Sequence, residues 1–337
     1  MRNYVFLTAS VLALAASAPA IAQNNSSTVN QSGSDNVVDV DQSTGSMNTS
    51  TVTTEAGSQF NDIEIDQGGT NVLSTVTAGG VGTDAANPNT VTVFQGGDGA
   101  ESIVTQRGGD RLNVQIDQVG DSLSDVFQET TNSSVEVHQS GDFNLSEVIQ
   151  TASSSSVGDA VDMVDSGVIQ GGTNNISGIS QTGGLRMRAS VTQIGDDNES
   201  NILQSGGGRP KTTTVTQMAN GNLSNVIQSV SPPTGTTADV TINQFADDNE
   251  SNVTQTGASQ TTITQNSAGN LSGVDQSGED STITVTQDGP TGFSSSDVTQ
   301  SASDSTVTVN QNGFDLLSPN FFTNVSTVDQ NKQRVPG

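Results

Sequence analysis

Few residues of this chain could do chemistry. Its 337 residues include one histidine, His138, and no cysteine or tryptophan. Without cysteine there are no disulfides, thiolate metal sites or cysteine nucleophiles. A single histidine argues against a histidine-based zinc site and against a Ser-His-Asp triad. Carboxylates are plentiful, 36 acidic residues against 9 Lys and Arg, so a pair of them selects no acid–base mechanism. His138 alternates with Val137, which points it away from the core face as an ordinary strand residue. Asp196-Asp197-Asn198-Glu199 and Asp247-Asp248-Asn249-Glu250 gather oxygen donors of the kind calcium takes. The Gly-Gly-x-Gly-x-Asp nonapeptide of calcium-loaded solenoids is absent, and a solvated acidic turn explains both clusters. The formal charge of −27 excludes nucleic acid as a partner, because phosphate contacts need Lys and Arg. The sequence points to no catalytic residue, cofactor or metal site, and to no enzyme.

The chemistry that does recur is that of side-chain amides. Gln95, Gln106, Gln118, Gln128, Gln139 and Gln150 follow one another about 11 residues apart, and fixed-period self-similarity marks a repeat architecture. The unit reads Val-x-Val-x-Gln-x-Gly-x-x-Asn-x-Ser-x-Val-x-Gln. Seven frames carry Asn five positions and a second Gln eleven positions after the first Gln. They are Gln31–Asn36–Gln42, Gln139–Asn144–Gln150, Gln170–Asn175–Gln181, Gln193–Asn198–Gln204, Gln217–Asn222–Gln228, Gln244–Asn249–Gln255 and Gln265–Asn270–Gln276. Val or Ile always stands two positions before the second Gln, and Gly, Ala or Ser two positions after the first.

These amides need elements to position them. Ile283, Val285 and Gln287 share one parity, and Thr282, Thr284 and Thr286 the other. Such alternation, rich in β-branched residues, is a strand. Small, turn-prone segments such as Ser140-Gly141-Asp142-Phe143 separate the strands. Apolar residues make up 30% and aromatics 3%, too little for a thick core. A thin one forms if strand-turn-strand-turn units of about 22 residues stack with like residues superimposed. The fold class expected is all-β, a β-solenoid with two facing parallel sheets and roughly twelve to fourteen layers. A buried amide left unpaired costs about 1–3 kcal/mol. Stacked on an identical amide, it satisfies donor and acceptor in a continuous ladder. Carboxylates of the acidic turns would stack too, as gatekeepers against self-association.

The chain divides into four segments. Residues 1–22 read as a secretory signal peptide, with Arg2, an apolar run from Val5 to Ala16 and Ala20-Ile21-Ala22 before Gln23. A short segment, 23–30, precedes a repeat solenoid at 31–315. An irregular last repeat or cap occupies 316–337, where Leu316-Leu317-Ser318-Pro319-Asn320-Phe321-Phe322 departs from the pattern and Lys332 and Arg334 follow. Insertions fall at Ala78–Phe94, Thr151–Ile169 and Ser229–Asn243, the last with Pro232-Pro233-Thr234-Gly235. Between Gln42 and Gln95 the phase is open, with Glu55 and Ala78 as candidates for Gln positions.

Gln-x-Gly-x-x-Asn-x-Ser-x-x-x-Gln after alternating valines resembles the curlin repeat of bacterial curli fibres, from Gln31 to Gln330. The resemblance implies a functional amyloid of biofilm matrix and surface adhesion, exported as a cell-surface fibre by a Gram-negative-type bacterium. It implies self-association, an outer-membrane secretion pore, accessory chaperones and a nucleating subunit. It makes the amides of the seven frames the core ladder. The chain departs from the family in its number of repeats, its Ser after the Asn, its abundant Asp and its insertions. A different reading is a soluble monomeric β-solenoid that binds a ligand. Outward Thr rows at Thr282-x-Thr284-x-Thr286 and Thr212-Thr213-Thr214-x-Thr216 resemble ice-binding arrays, although the rows look irregular from unit to unit.

Overall fold

The computed structural model describes residues 24–82, 88–109, 111–151, 164–183, 186–207, 210–230, 237–289, 294–312 and 324–331. The leader at 1–22, the Ser run after Thr151, Pro232-Pro233-Thr234-Gly235, the 316–322 departure, Lys332 and Arg334 lie outside these residues. The strands alternate between two sheets. The odd-numbered ones are β1 (Ser26–Gln31), β3 (Thr49–Thr54), β5 (Leu73–Ala78), β7 (Glu101–Gln106), β9 (Leu123–Gln128), β11 (Leu145–Gln150), β13 (Ile176–Thr182), β15 (Glu199–Ser205), β17 (Leu223–Ser229), β19 (Glu250–Gln255), β21 (Leu271–Gln276), β23 (Ser294–Gln300) and β25 (Asn324–Gln330). The even-numbered ones are β2 (Val37–Asp41), β4 (Asn61–Gln67), β6 (Asn89–Gln95), β8 (Leu112–Val119), β10 (Ser133–Ser140), β12 (Val164–Gly171), β14 (Met187–Ile194), β16 (Lys211–Gln217), β18 (Ala238–Gln244), β20 (Gln260–Gln265), β22 (Thr282–Asp288) and β24 (Thr306–Asn312).

Among the described residues the odd strands form a 13-stranded sheet and the even strands a 12-stranded sheet, each in chain order. Neighbours are parallel, as in β10 against β12 and β11 against β13. The described chain is an all-β solenoid with no helix. Its core is narrow, with one buried Val or Ile on most odd strands and one or two on each even strand from β4 to β24. Val52, Val104, Val148, Ile202 and Val298 of the odd sheet are buried, as are Ile65, Val114, Val137, Val215 and Val285 of the even sheet. Burial of such a side chain contributes about 1.5–3 kcal/mol. The alternation read from the sequence is visible in β22, whose Ile283, Val285 and Gln287 are buried between partly exposed threonines.

The turns stack as closely as the strands. Phe143, Asn174, Asp197 and Asp248 hold φ near +57°, each just before the repeat's Asn. Gly172 has φ +99°, and a Cβ there would lie 2.2 Å from the carbonyl oxygen of Gly195 one layer on. A larger residue would push the two layers apart.

Two expectations about phase are corrected. Gln31 was grouped with Gln139, but β1 lies in the odd sheet, where Gln31 aligns with Thr54. The signal is Asn25-x-Ser27-x-Val29-x-Gln31, the odd-strand pattern. The Gln position of β3 is Thr54, not Glu55, and that of β5 is Ala78. Regular strands also continue past both boundaries set for the repeat, β1 beginning at Ser26 and β25 running from Asn324 to Gln330 in register with β23.

Candidate functional site

Parallel in-register pairing puts like side chains one layer apart, about 4.8 Å, and this builds two amide ladders. In the even sheet Gln42 donates through Nε2 to Oε1 of Gln67, and Gln67 to Gln95. The same bond then links Gln95, Gln118, Gln139, Gln170, Gln193 and Gln217 in turn. It goes on through Gln244, Gln265 and Gln287 to Gln311. The N···O distances are 2.6–3.0 Å. In the odd sheet the ladder starts at Gln106 and passes through Gln128, Gln150, Gln181, Gln204 and Gln228. It ends through Gln255, Gln276 and Gln300 at Gln330, with distances of 2.8–3.1 Å.

The amides also hold the sheets together. Gln139 Nε2 donates to the carbonyl oxygen of Leu123 at 3.1 Å, and Gln193 Nε2 to that of Ile176 at 2.9 Å. From the odd side, Gln150 Nε2 reaches Ser134 O at 3.1 Å and Gln204 Nε2 reaches Arg188 O at 2.9 Å. One amide therefore bonds along the stack and across it.

The repeat asparagines form a ladder of opposite sense. Oδ1 of Asn144 accepts from both N and Nδ2 of Asn175, at 3.0 and 3.1 Å. Asn198 does the same to Asn175, and Asn222 to Asn198. The backbone N of Asn249 bonds to Asn222, and that of Asn270 to Asn249. Asn36 lies at the opposite corner, before an even strand, where it meets Asn61.

One column was underestimated. Every odd strand carries Ser four positions before its Gln position, from Ser27 through Ser50, Ser146 and Ser224 to Ser326. Its register is less interrupted than that of the glutamines. Ser251 Oγ touches Gln265 Oε1 at 2.9 Å, so the column faces the even-sheet amides. A small side chain is needed there because each even-sheet Gln passes it to reach the carbonyl of the preceding residue. The hydroxyls of Ser124, Ser146, Ser177, Ser200 and Ser224 find no partner.

A second missed residue is Lys211, which is fully buried and donates through Nζ to Gly206 O at 2.9 Å. Burial lowers its pKa to about 8. Its parity with Thr213, Val215 and Gln217 was a sequence signal that it points inward.

The remaining charged candidates stand outside. His138 bonds to Glu136 at 2.7 Å and lies 3.5 Å from Asp117, on the outer face. The acidic turns at Asp196 and Asp247 do not stack on each other. Asp196 Oδ1 accepts from Thr173 N at 2.8 Å, which holds its carboxyl below the ordinary value. The next layer presents Asn220, whose own N donates to Asp247 at 2.9 Å. Acidic and neutral turns alternate here, whereas Asp121 and Asp142 hold the same place in adjacent turns, with Asp121 N donating to Asp142 Oδ1 at 3.2 Å, so the expected stack of like charges forms there and not at Asp196 and Asp247. Carboxylates do stack on the outer even face, with Asp39 on Glu64 and Asp41 on Asp66.

No curated protein matches the chain. Residues 258–289, which contain β20 to β22, match the family model of the curlin associated repeat. That match supports assigning the chain to the curlin-repeat family.

Proposed function

We propose that this chain is a secreted structural protein, not an enzyme, that assembles head to tail into an extracellular curli-like amyloid fibre of biofilm matrix and surface adhesion. The complementarity of its two ends carries the reading. Each Gln ladder is polar: Nε2 always donates toward the higher-numbered strand. One end presents Gln42, whose Nε2 is engaged by Gln67 and whose Oε1 is left for an incoming donor. The other presents Gln311 and Gln330, which lack an axial acceptor among the described residues. The backbones of β1 and β2, and of β24 and β25, have no further strand beyond them among the described residues. Unpaired edges of this kind template another chain. Export, a secretion pore, accessory chaperones and a nucleating subunit belong to the same reading and rest on the family resemblance.

An amyloid-dye time course on tag-free chain lacking residues 1–22, with electron microscopy at the endpoint, tests this. Growth of fibres, with a lag shortened by sheared fibre fragments, is the expected result. A chain that stays monomeric for days sinks the reading.

A second reading has one observation behind it. The outward Thr rows are more regular than the sequence suggested. Thr214, Thr241, Thr262, Thr284 and Thr308 follow one another in register from β16 to β24. A Thr column with a spacing of about 4.8 Å suits ordered water in one direction, and thermal hysteresis in dilute solution decides whether the face binds ice.

A further inference from the structure

Among the described residues the two sheets do not end together. The odd sheet begins with β1 and ends with β25, whereas the even sheet begins with β2 and ends with β24. If a second copy simply set its β1 on β25, its β2 would lie two layers from β24. One even strand would be missing at every joint. Val307, Val309 and Gln311 of β24, all nearly buried, would face that gap, together with a row of unpaired backbone groups. Each such group costs about 1–3 kcal/mol when water is excluded.

The first and last odd strands are near copies of each other. Asn25-Ser26-Ser27-Thr28-Val29-Asn30-Gln31 and Asn324-Val325-Ser326-Thr327-Val328-Asp329-Gln330 differ at two positions, both on the outer face. The inward Ser, Val and Gln are the same. Val328 and Gln330 are only partly buried where β25 lies on β23. Residues 313–323 separate β25 from β24, whereas only 289–293 separate β23 from β22.

We infer that two copies join by strand replacement. β1 of the incoming copy takes the place of β25 against β23, and its β2 then lands on β24. Both sheets run on without a gap. Gln300 Nε2, which now donates to Gln330 at 3.1 Å, donates instead to Gln31 of the second copy. Gln311 gains Gln42 as its axial acceptor. On the outer face Asp39 and Asp41 of the newcomer meet Thr308 and Asn310, and in the turn its Asp35 falls on Asp304, so one pair of carboxylates stacks at the joint. This deepens the fibre reading and rests on it. Until displaced, β25 occupies the growing end, which gives assembly a lag.

Cysteine cross-linking distinguishes replacement from stacking. In β25, Thr327 is the register partner of Asp297, and Thr28 is its counterpart in β1. Both Thr28 and Asp297 are exposed, and they lie at opposite ends of one molecule. In fibres of the Thr28→Cys/Asp297→Cys chain, replacement puts the two sulfurs on adjacent strands, about 4.8 Å apart at Cα, within disulfide reach. Stacking puts them about 9.6 Å apart, out of reach. Mild oxidation of fibres should link most chains into a covalent ladder on denaturing gels. Fibres that dissolve to monomers overturn strand replacement and leave the fibre reading standing. No fibres from the unsubstituted chain overturn both. As a second check, a disulfide between Asp297→Cys and Thr327→Cys should lock β25 and slow elongation at least tenfold, with reduction restoring it. Equal rates for the oxidised and reduced forms would also overturn the inference.

Discussion

The stretch from β14 to β19 and the stretch from β1 to β5 are built on one plan and held differently. In the first, every Gln has a neighbour above, a neighbour below and, for most, a carbonyl across the core. In the second, the odd sheet reads Gln31, Thr54, Ala78. The ladder is absent there, and Oε1 of Gln106, which would accept a hydrogen bond from a Gln at position 78, is buried without a partner. Strands, register and the Val and Ser columns nevertheless continue unbroken through both stretches. The difference teaches that the odd sheet keeps its register without a Gln ladder of its own, beside the even-sheet amides Gln42, Gln67 and Gln95 that run on through the same layers. The amides add strength where they run continuously.

The largest effect that would sharpen this contrast is loss of a central amide. Gln193→Leu removes three bonds together, from Gln170 Nε2, to Gln217 Oε1 and to the Ile176 carbonyl. It should cost about 3 kcal/mol or more, whereas Gln31→Leu, at an exposed site, should stay within about 0.5 kcal/mol. Urea unfolding of the monomer measures both, and equal losses would mean that the ladder does not stabilise the centre.

Lys211 is the weak point of the central stretch. Its amine is harder to protonate in the fold than in the open chain, because burial penalises the charge. Stability should therefore rise as pH climbs from about 8 toward the unfolded lysine value of about 10.4. Lys211→Met should stabilise the chain by about 2 kcal/mol at neutral pH and abolish that rise. Melting curves across this range read both effects, and an unchanged slope in the variant would rule out Lys211 as the source.

Repair of the N-terminal stretch should have a smaller effect. Ala78→Gln gives Gln106 the missing donor and should add about 1 kcal/mol, visible as slower hydrogen exchange in β5 and β7. No change in exchange would show that the gap is already accommodated.

The smallest expected effect concerns charge. Asp66 is held above the ordinary carboxyl value, by burial first and by stacked Asp41 second. Its ionised form therefore opposes folding, and the N-terminal rungs should tighten as pH falls through its folded pKa. The gain is complete once pH is below the unfolded value. Asp66→Asn should remove the dependence, and exchange rates in β2 and β4 at several pH values are the measurement.

Much of this was legible in the sequence because the solenoid repeats residue types at nearly constant spacing. Gln139, Asn144 and Gln150 declared a layer, and their counterparts declared the stack. The phase before Gln95 was not legible. An extra residue between Gln42 and Asn48, and Thr54 and Ala78 in place of Gln, hide the columns until backbone pairing restores them. The second bond of each amide was hidden for a different reason. The reach from Gln139 to the Leu123 carbonyl spans two strands that no local pattern relates. The use of Ser146 as the gap through which Gln170 passes depends on the same contact. The separation of Asp196 from Asp247 by a neutral layer follows from strand order, which spacing alone does not reveal.

The central claim is that layers superimposed within one chain continue into the next. X-ray diffraction from aligned fibres of the chain lacking residues 1–22 tests it most directly. A sharp meridional arc near ~4.8 Å with an equatorial reflection near ~10 Å is predicted. Aligned fibres without the meridional arc would mean that the chains associate by some surface other than their open ends.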